Sequence, residues 1–227
     1  MHEPITLEEL GSSRPVASFR SWIESLCARY KTPEFNQYFV ARRGLTNKLQ
    51  GELVPLGQFC HHMAHEHQDC QLKYFPTTGQ SFDAQILSKD GSVKEVLEVT
   101  LACDGYRDAI AGEYLNKYGL APLWVPLSHS GRRNSRDLPL PEIQSMDTEQ
   151  IVEDGLTLIR SAVEKKSFSS KYKGVSLVVG LEDFRFLPRH TDGVKAELAK
   201  IPSTFAAIYY VGLEGCFFYA HRNQAQS

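Results

Sequence analysis

The sequence predicts an α/β fold, and three observations lead to it. Apolar residues recur at three- and four-residue spacing between Arg14 and Tyr30, which indicates a helix with one buried face. Two extended segments, predicted as strands near 81–88 and 93–102, flank Asp90-Gly91, a strong hairpin signal. The residues after this β-hairpin then alternate between helical and strand-like patterns, so the hairpin is followed by a helix and a strand.

Helical patterns occupy most of the chain before the hairpin. A short second helix is predicted between Thr32 and Gly44, because Thr32 is a suitable N-cap and Gly44 a suitable C-terminal glycine. A third helical pattern runs from Leu45 to Met63 and contains Pro55, so this helix is expected either to kink or to restart there. The two alternatives remain open at this point.

The elements after the hairpin follow from periodicity and turn residues. The segment after it has helical spacing from Tyr106 to Tyr118. The elements predicted further along are a buried strand (121–127), a surface loop rich in Ser, Arg and Pro (128–145), a long helix that starts after Asp147, a strand (175–181), a short helix (192–200) and a terminal hairpin around 213–215. The consecutive tyrosines and phenylalanines of that terminal hairpin are interpreted as core packing.

Length and composition indicate one globular domain. The chain has 227 residues, of which 42% are hydrophobic and 23% charged, and it contains no apolar run of about 18 residues. We expect a single domain over 1–227, made of an N-terminal helical segment (1–44), a candidate motif core (45–126), a surface loop (127–146) and a C-terminal α/β part (147–227). Without an apolar leader at its start, the chain is expected to be cytoplasmic, without a membrane partner.

Charge and cysteine content exclude two classes of protein. The formal net charge of −2 argues against nucleic-acid binding by bulk positive charge, although a local basic face remains possible. The five cysteines are an odd number, are widely scattered and form no CxxC pair, so we expect free thiols rather than a disulfide framework. The sequence also lacks the glycine-rich phosphate loops and the GxSxG motif that would indicate nucleotide binding or serine hydrolase chemistry.

The hairpin carries the strongest functional signal. If Asp90-Gly91 is a two-residue loop, Lys89 pairs with Ser92 and Asp83 lies directly opposite Glu98, with the Cβ atoms of the two acids roughly 5 Å apart. The pairing of Asp83 with Glu98 is the same for a four-residue loop. Ala84 and its neighbours at alternate positions form the apolar, core-facing side, so both carboxylates are expected on the other side of the hairpin. Two like charges at this separation require a cation, and Mg²⁺ or Mn²⁺ with a phosphate group suits carboxylate ligands.

The combination of an acid on one strand, a hairpin turn, Glu98-Val99-Thr100 on the next strand, and then a helix and a strand resembles the PD-(D/E)xK nuclease superfamily. The resemblance covers about residues 45–126 and implies a restriction-endonuclease-like mixed sheet. It also implies that Asp83 and Glu98 bind the metal and that an acid on the preceding helix supports the site. Glu52 is the candidate for that acid, and Glu66 is a weaker one.

Two positions depart from the superfamily pattern. Phe82 replaces the proline of the first motif, and Thr100 replaces the lysine two residues after the second acid, which would orient the attacking water and stabilise charge on the phosphate. Lys94 is too far along the strand to compensate, at roughly 13 Å from Glu98. Among the basic residues of the following helix, Lys117 is preferred over Arg107 as the replacement.

Other interpretations of these residues compete with a nuclease site. In the simplest alternative the acid pair is a solvated hairpin surface. The histidine-rich run 60–70 fits none of the paired CxxC or HExxH spacings, so we do not expect structural zinc as a cofactor. Basic residues in polar loops could contact a phosphate backbone or only keep the protein soluble. The loop candidates for nucleic-acid binding are Arg132, Arg133 and Arg136, and a second basic cluster spans 165–173.

The sequence therefore predicts a metal-dependent nuclease that hydrolyses DNA phosphodiester bonds. The predicted catalytic set is Glu52, Asp83, Glu98 and Lys117, and the predicted metal ligands are Asp83 and Glu98. The alternative is a catalytically inactive module with the same fold that binds nucleic acid or a protein partner.

Overall fold

A computed structural model describes residues 3–32, 34–36, 39, 42, 44–77, 79–119, 147–167, 170–172 and 174–223. The predicted strand 121–127 and surface loop 128–145 lie outside the described residues. The predicted second helix lies partly outside them.

Seven strands form one mixed sheet, and their order in space is their order along the chain. Strands β1 to β4 are antiparallel to one another, β4, β5 and β6 run parallel, and β7 returns antiparallel to β6. Their bounds are β1 Arg14–Pro15, β2 Gln71–Tyr74, β3 Ala84–Leu87, β4 Val93–Ala102, β5 Ser176–Leu181, β6 Ala207–Gly212 and β7 Phe218–Arg222. The α/β class with a mixed sheet is therefore confirmed.

Helices connect the strands and cover both faces of the sheet. Two of the described helices lie in the long connection between the parallel strands β4 and β5, and one connects β5 to β6. Their bounds are α1 Leu7–Gly11, α2 Val16–Tyr30, α3 Leu45–Lys48, α4 Val54–Met63, α5 Gly105–Tyr118, α6 Thr148–Ser167 and α7 Thr191–Leu198. Helices α2, α5, α6 and α7 agree with the predicted helices to within a few residues, whereas α1 was not predicted.

The helix predicted over Leu45–Met63 is continuous, but its middle is not α-helical. A π-helical turn, Leu49–Leu53, joins α3 to α4, and the Val54 amide donates to the Leu49 carbonyl across this turn. Pro55 follows as an early residue of α4, where its missing N–H is easily accommodated. The helix therefore continues through the π turn into α4 and does not restart at Pro55.

Separate hydrophobic cores lie on the two faces of the sheet. Helices α2 and α4 and the π turn pack on the first face, where Phe19, Leu53, Leu97 and Val99 are fully or almost fully buried. Helices α6 and α7 pack on the second face, against residues that include Val179. Because side chains alternate along a strand, β4 contributes 97 and 99 to the first core and 96 and 102 to the second. Neither face of β4 is therefore a solvated surface.

The hairpin of β3 and β4 has the predicted register near the acid pair but a different turn. Ala84 pairs with Leu97, which preserves the predicted pairing sum of 181, and the sum holds through Ile86. A bulge then shifts the register, so Leu87 pairs with Val93.

The predicted pairing of Lys89 with Ser92 is wrong, because the Ser88 amide donates to the Ser92 carbonyl at 2.9 Å and the hairpin loop is longer than two residues. Gly91 adopts φ +82° in this turn, a conformation that favours glycine.

The terminal hairpin and the tyrosine interpretation are both confirmed. Strands β6 and β7 pair antiparallel, and Tyr209 and Tyr210 are buried on opposite faces of the sheet, one in each core. All five cysteines are free thiols. Among the helices in the described part of the chain, none combines the length and hydropathy that crossing a membrane requires.

Candidate functional site

Asp83 lies where β3 separates from β4. It precedes β3 by one residue, and its amide donates to the Leu97 carbonyl at 2.9 Å. Its carboxylate atom Oδ2 accepts a 2.8 Å hydrogen bond from the Val99 amide. The Asp83 side chain therefore binds the backbone amide of Val99, a residue of β4 beyond the end of its pairing with β3. This geometry fixes one carboxylate oxygen at the edge of β4, beside Glu98.

Glu98 lies in the middle of β4, and its side chain is on the second face of the sheet. It is only 5% exposed, and its atom Oε1 accepts hydrogen bonds from the Lys166 ammonium and from the Tyr172 hydroxyl, the latter at 3.0 Å. The expectation that the acids occupy the side of the hairpin away from the core is wrong for Glu98, since α6 covers this face. The interpretation of Glu98 as a surface charge is excluded for the same reason.

Lys166 supplies the positive charge that the sequence lacks at Thr100. It lies in the last turn of α6, and its side chain is 30% exposed while Glu98 is almost buried. Burial alone would lower the pKa of the Lys166 ammonium, but the hydrogen bond and the negative charge of Glu98 outweigh it, so the pKa is raised. Lys166 is therefore a cation at neutral pH, held on the same face of β4 as Thr100.

Glu52 approaches from the first face of the sheet, because the π turn that carries it packs against β4. Its atom Oε2 accepts a hydrogen bond from the buried Tyr74 hydroxyl, and its atom Oε1 lies 3.7 Å from the Lys48 ammonium. Glu52 is close enough to Asp83 for its charge to affect the pKa of that carboxyl. The acid predicted on the preceding helix therefore lies near the predicted pair.

The electrostatics of the cluster centre on Asp83. Burial and then the negative charge of Glu98 raise the pKa of Asp83 to about 6, with a smaller contribution from Glu52. The Val99 amide and the Lys166 ammonium act in the opposite direction but do not compensate. Partial burial and two acidic neighbours therefore disfavour the ionised form of the Asp83 carboxyl. A further cation near Asp83 would relieve this repulsion.

The donor set allows a metal ion only if other ligands complete its shell. No group of three or more His, Cys, Asp or Glu side chains among the described residues is arranged to hold a metal, and this includes the histidine-rich run. Asp83 Oδ1 and Glu98 Oε2 have no hydrogen-bond partner within the described part of the chain. Mg²⁺ commonly takes one or two protein carboxylates and completes its shell with water and phosphate. Asp83 and Glu98 would supply the two protein carboxylates of such a site, and water and phosphate would supply the other ligands.

The other predicted site residues among the described ones have contacts of their own. The Lys117 ammonium lies 5.0 Å from the centroid of the Tyr118 ring at the end of α5. Glu66 forms an exposed ion pair with Arg222 at 2.7 Å. The predicted nucleic-acid contacts Arg132, Arg133 and Arg136 lie outside the described residues.

Sequence reasoning missed three residues that contact the acids. Lys166 was noticed only as a member of a basic cluster, and the two tyrosines, Tyr74 and Tyr172, not at all. The available signal was topological: α6 leads into the strand parallel to β4, so its last turn lies over the face that carries Glu98. A lysine in that turn was the residue to test.

Comparison of the chain with protein-family models, with curated proteins and with solved structures finds no significant match. The candidate site therefore depends on its own geometry and on the resemblance noted in the sequence.

Proposed function

We propose that this protein is a metal-dependent nuclease that hydrolyses DNA phosphodiester bonds at a site built from Asp83, Glu98, Glu52 and Lys166. The order of elements supports this proposal. A helix carrying Glu52, three antiparallel strands, a helical connection and a parallel strand follow one another from α3 to β5. That order and the acid positions resemble the restriction-endonuclease-like fold of the PD-(D/E)xK superfamily, to which we assign the domain as part of the proposal.

The carboxylates suit a hard divalent cation. Asp83 and Glu98 each offer one carboxylate oxygen without a protein partner among the described residues, and the negative charge of Glu98 contributes to the raised pKa of Asp83. A Mg²⁺ or Mn²⁺ ion bound there would polarise a phosphate oxygen and increase the acidity of a bound water. Glu52 adds negative charge beside Asp83 and so favours a cation over an uncharged ligand.

The single observation that carries the proposal is the contact between Lys166 and Glu98. An ammonium two residues from the second acid is what the superfamily motif supplies through its lysine, and here a helix on the same face supplies it. Because its pKa is raised, Lys166 stays protonated at neutral pH and acts by charge and hydrogen bonding. We assign it the stabilisation of negative charge on the phosphate and not the removal of a proton.

The surroundings of Lys166 favour an anionic substrate. The Lys171 ammonium lies 4.4 Å and the Lys166 ammonium 5.7 Å from the centroid of the Tyr172 ring, so two cations flank the ring whose hydroxyl contacts Glu98. Lys171 is exposed and can reach a phosphate beside the one at the acid pair. A polymer of phosphates therefore matches the site better than a single small phosphate.

One observation favours a catalytically inactive module as the second candidate. Glu98 Oε1 already has two partners, and an acid that is satisfied by an internal cation has less need of a metal. In that case Lys166 replaces the metal, and the exposed lysines bind nucleic acid without turnover.

Cleavage assays with matched controls separate the two candidates. We expect wild-type protein to cleave DNA only with Mg²⁺ or Mn²⁺, and Glu98→Gln and Lys166→Met each to lower the rate at least a hundredfold, the lower range for a single electrostatic donor. Glu95→Gln is the control for the acid, since Glu95 lies on the same strand and also accepts a hydrogen bond from a tyrosine. Lys89→Met is the control for the lysine, because Lys89 also pairs with an acid, Asp69, at the exposed end of the hairpin.

Two outcomes would contradict the proposal. Metal-dependent cleavage that survives both Glu98→Gln and Lys166→Met would place the chemistry elsewhere. Absence of cleavage by wild-type protein on duplex DNA, single-stranded DNA and RNA, together with DNA binding that needs no metal, would support the inactive module instead.

A further inference from the structure

Two buried tyrosines hold two acids of the cluster, and they approach from opposite faces of the sheet. Tyr74, 1% exposed at the end of β2, donates its hydroxyl hydrogen to Glu52. Tyr172, 3% exposed in a short 3-10 helix after α6, donates to Glu98 Oε1 at 3.0 Å. Each tyrosine ring belongs to a hydrophobic core, and the carboxylate that accepts its hydrogen bond is buried in Glu98 and 28% exposed in Glu52.

We propose that Tyr172 and Tyr74 are positioning residues of the acid cluster, an inference that rests on the proposed function. Tyr172 fixes the Glu98 carboxylate for a divalent cation, and Tyr74 fixes the negative charge of Glu52 beside Asp83. Neither tyrosine is expected to touch the metal or the substrate. Each one holds a carboxylate oxygen in place, and for Glu98 this leaves Oε2 as the oxygen that is available to a ligand. Partners of this kind commonly change metal affinity by about 10- to 100-fold when they are lost.

The chemistry of the two donors suits this role. A tyrosine hydroxyl donates one hydrogen bond and carries no charge, so it orients a carboxylate without neutralising the charge that attracts the cation. Burial, together with the hydrogen bond to Glu52, raises the pKa of Tyr74, so its hydroxyl remains a donor throughout the neutral range. Lys166, in contrast, contributes charge to the same oxygen of Glu98. Position and charge are therefore supplied by separate residues.

The chain provides two matched controls. Tyr209 is buried and donates to Glu95 at 2.8 Å, so Tyr209→Phe removes a tyrosine-to-carboxylate bond on the same strand but outside the acid cluster. Tyr210 is fully buried, and its hydroxyl has no hydrogen-bond partner in the described part of the chain. Tyr210→Phe therefore removes a hydroxyl and no bond.

The test measures Mn²⁺ binding by calorimetry, DNA cleavage and thermal unfolding for Tyr74→Phe, Tyr172→Phe and both controls. We expect Tyr172→Phe to weaken Mn²⁺ binding about tenfold or more, because it holds a ligand. We expect Tyr74→Phe to weaken it less, because Glu52 acts only by its charge, and we expect both variants to have a lower kcat at saturating metal. We expect Tyr209→Phe to lower Tm while Mn²⁺ affinity and cleavage stay at wild-type values, and Tyr210→Phe to change none of them.

Three results would overturn the inference, and they are distinguishable. If wild-type protein binds Mn²⁺ and cleaves DNA, and both site variants do so equally well, the proposed function stands and the positioning role is wrong. If Tyr209→Phe loses as much Mn²⁺ affinity as the site variants, the loss of affinity results from lower stability of the fold, and Tyr74 and Tyr172 have only a structural role. If wild-type protein neither binds Mn²⁺ nor cleaves, the proposed function fails and this inference fails with it.

Discussion

Replacing Asp83 with asparagine should stabilise the metal-free protein at neutral pH. The pKa of Asp83 is raised from 3.8 to about 6, so ionising this carboxyl in the folded protein is unfavourable. An asparagine of the same shape carries no charge, and its side-chain oxygen can still accept the hydrogen bond from the Val99 amide. A shift of about 2 pKa units corresponds to about 3 kcal/mol at about 1.4 kcal/mol per unit, so we expect Asp83→Asn to gain about 2 to 3 kcal/mol.

The gain should depend on pH in a defined direction. Because the pKa of Asp83 is higher in the folded than in the unfolded state, the folded protein binds more protons between about pH 4 and 6. The wild-type free energy of unfolding therefore falls as pH rises through this window. Above the window, the full cost of ionising Asp83 in the folded protein is present. The advantage of Asp83→Asn should be largest near pH 8 and should close as pH approaches 4.

Urea unfolding in the presence of EDTA measures the difference in free energy of unfolding between wild type and Asp83→Asn. The two proteins are compared at each pH, so that the contributions of other titrating groups cancel. At neutral pH the gain corresponds to a rise in Tm of about 4 to 10 °C for a chain of this size. Asp90→Asn is the control, because hydrogen bonds from Ser88 and Ser92 lower the pKa of Asp90 to about 2. That variant should lose stability at neutral pH instead. An Asp83→Asn protein that is less stable than wild type by the same amount from pH 4 to 8 would refute the reasoning.

Three further stability predictions follow from single contacts and can be measured by urea unfolding. Lys166→Met should cost about 2 kcal/mol, less than the loss of a fully buried ion-pair partner because Lys166 is partly exposed. Asp183→Ala should cost about 3 kcal/mol, since Asp183 is buried and accepts from the amides of Glu214 at 3.1 Å and Cys216 at 2.7 Å. Gly91→Ala should cost about 1 kcal/mol from its positive φ alone, as no atom lies within 4 Å of the added Cβ.

The sequence predicts this fold well where the signal is local. Helical periodicity identifies α2, α5 and α6 to within a few residues, and alternation identifies the hairpin of β3 and β4. The two-residue turn that Asp90-Gly91 predicts is wrong, because the bulge after Ile86 changes the length of the hairpin loop. The π turn was not predictable, since a proline within a helical pattern is equally compatible with a kink.

The candidate site is only partly predictable, because its acids are close in sequence and its cation is not. Asp83 and Glu98 are joined by one hairpin, so pairing arithmetic brings them together. Lys166 is 68 residues from Glu98 and reaches it only through the packing of α6 on the sheet. The burial of Glu98 depends on the same packing, which explains why a solvated face was expected. Tertiary contacts of this range leave no local pattern in a single sequence.

The central claim is that Asp83 and Glu98 together bind a divalent cation, and anomalous diffraction from crystals soaked in Mn²⁺ tests it most directly. The account predicts one anomalous peak within coordination distance, about 2.2 Å, of a carboxylate oxygen of Asp83 and of one from Glu98, with Lys166 still beside Glu98. A peak confined to the histidine-rich run 60–70, or no peak while Lys166 alone satisfies Glu98, would contradict it.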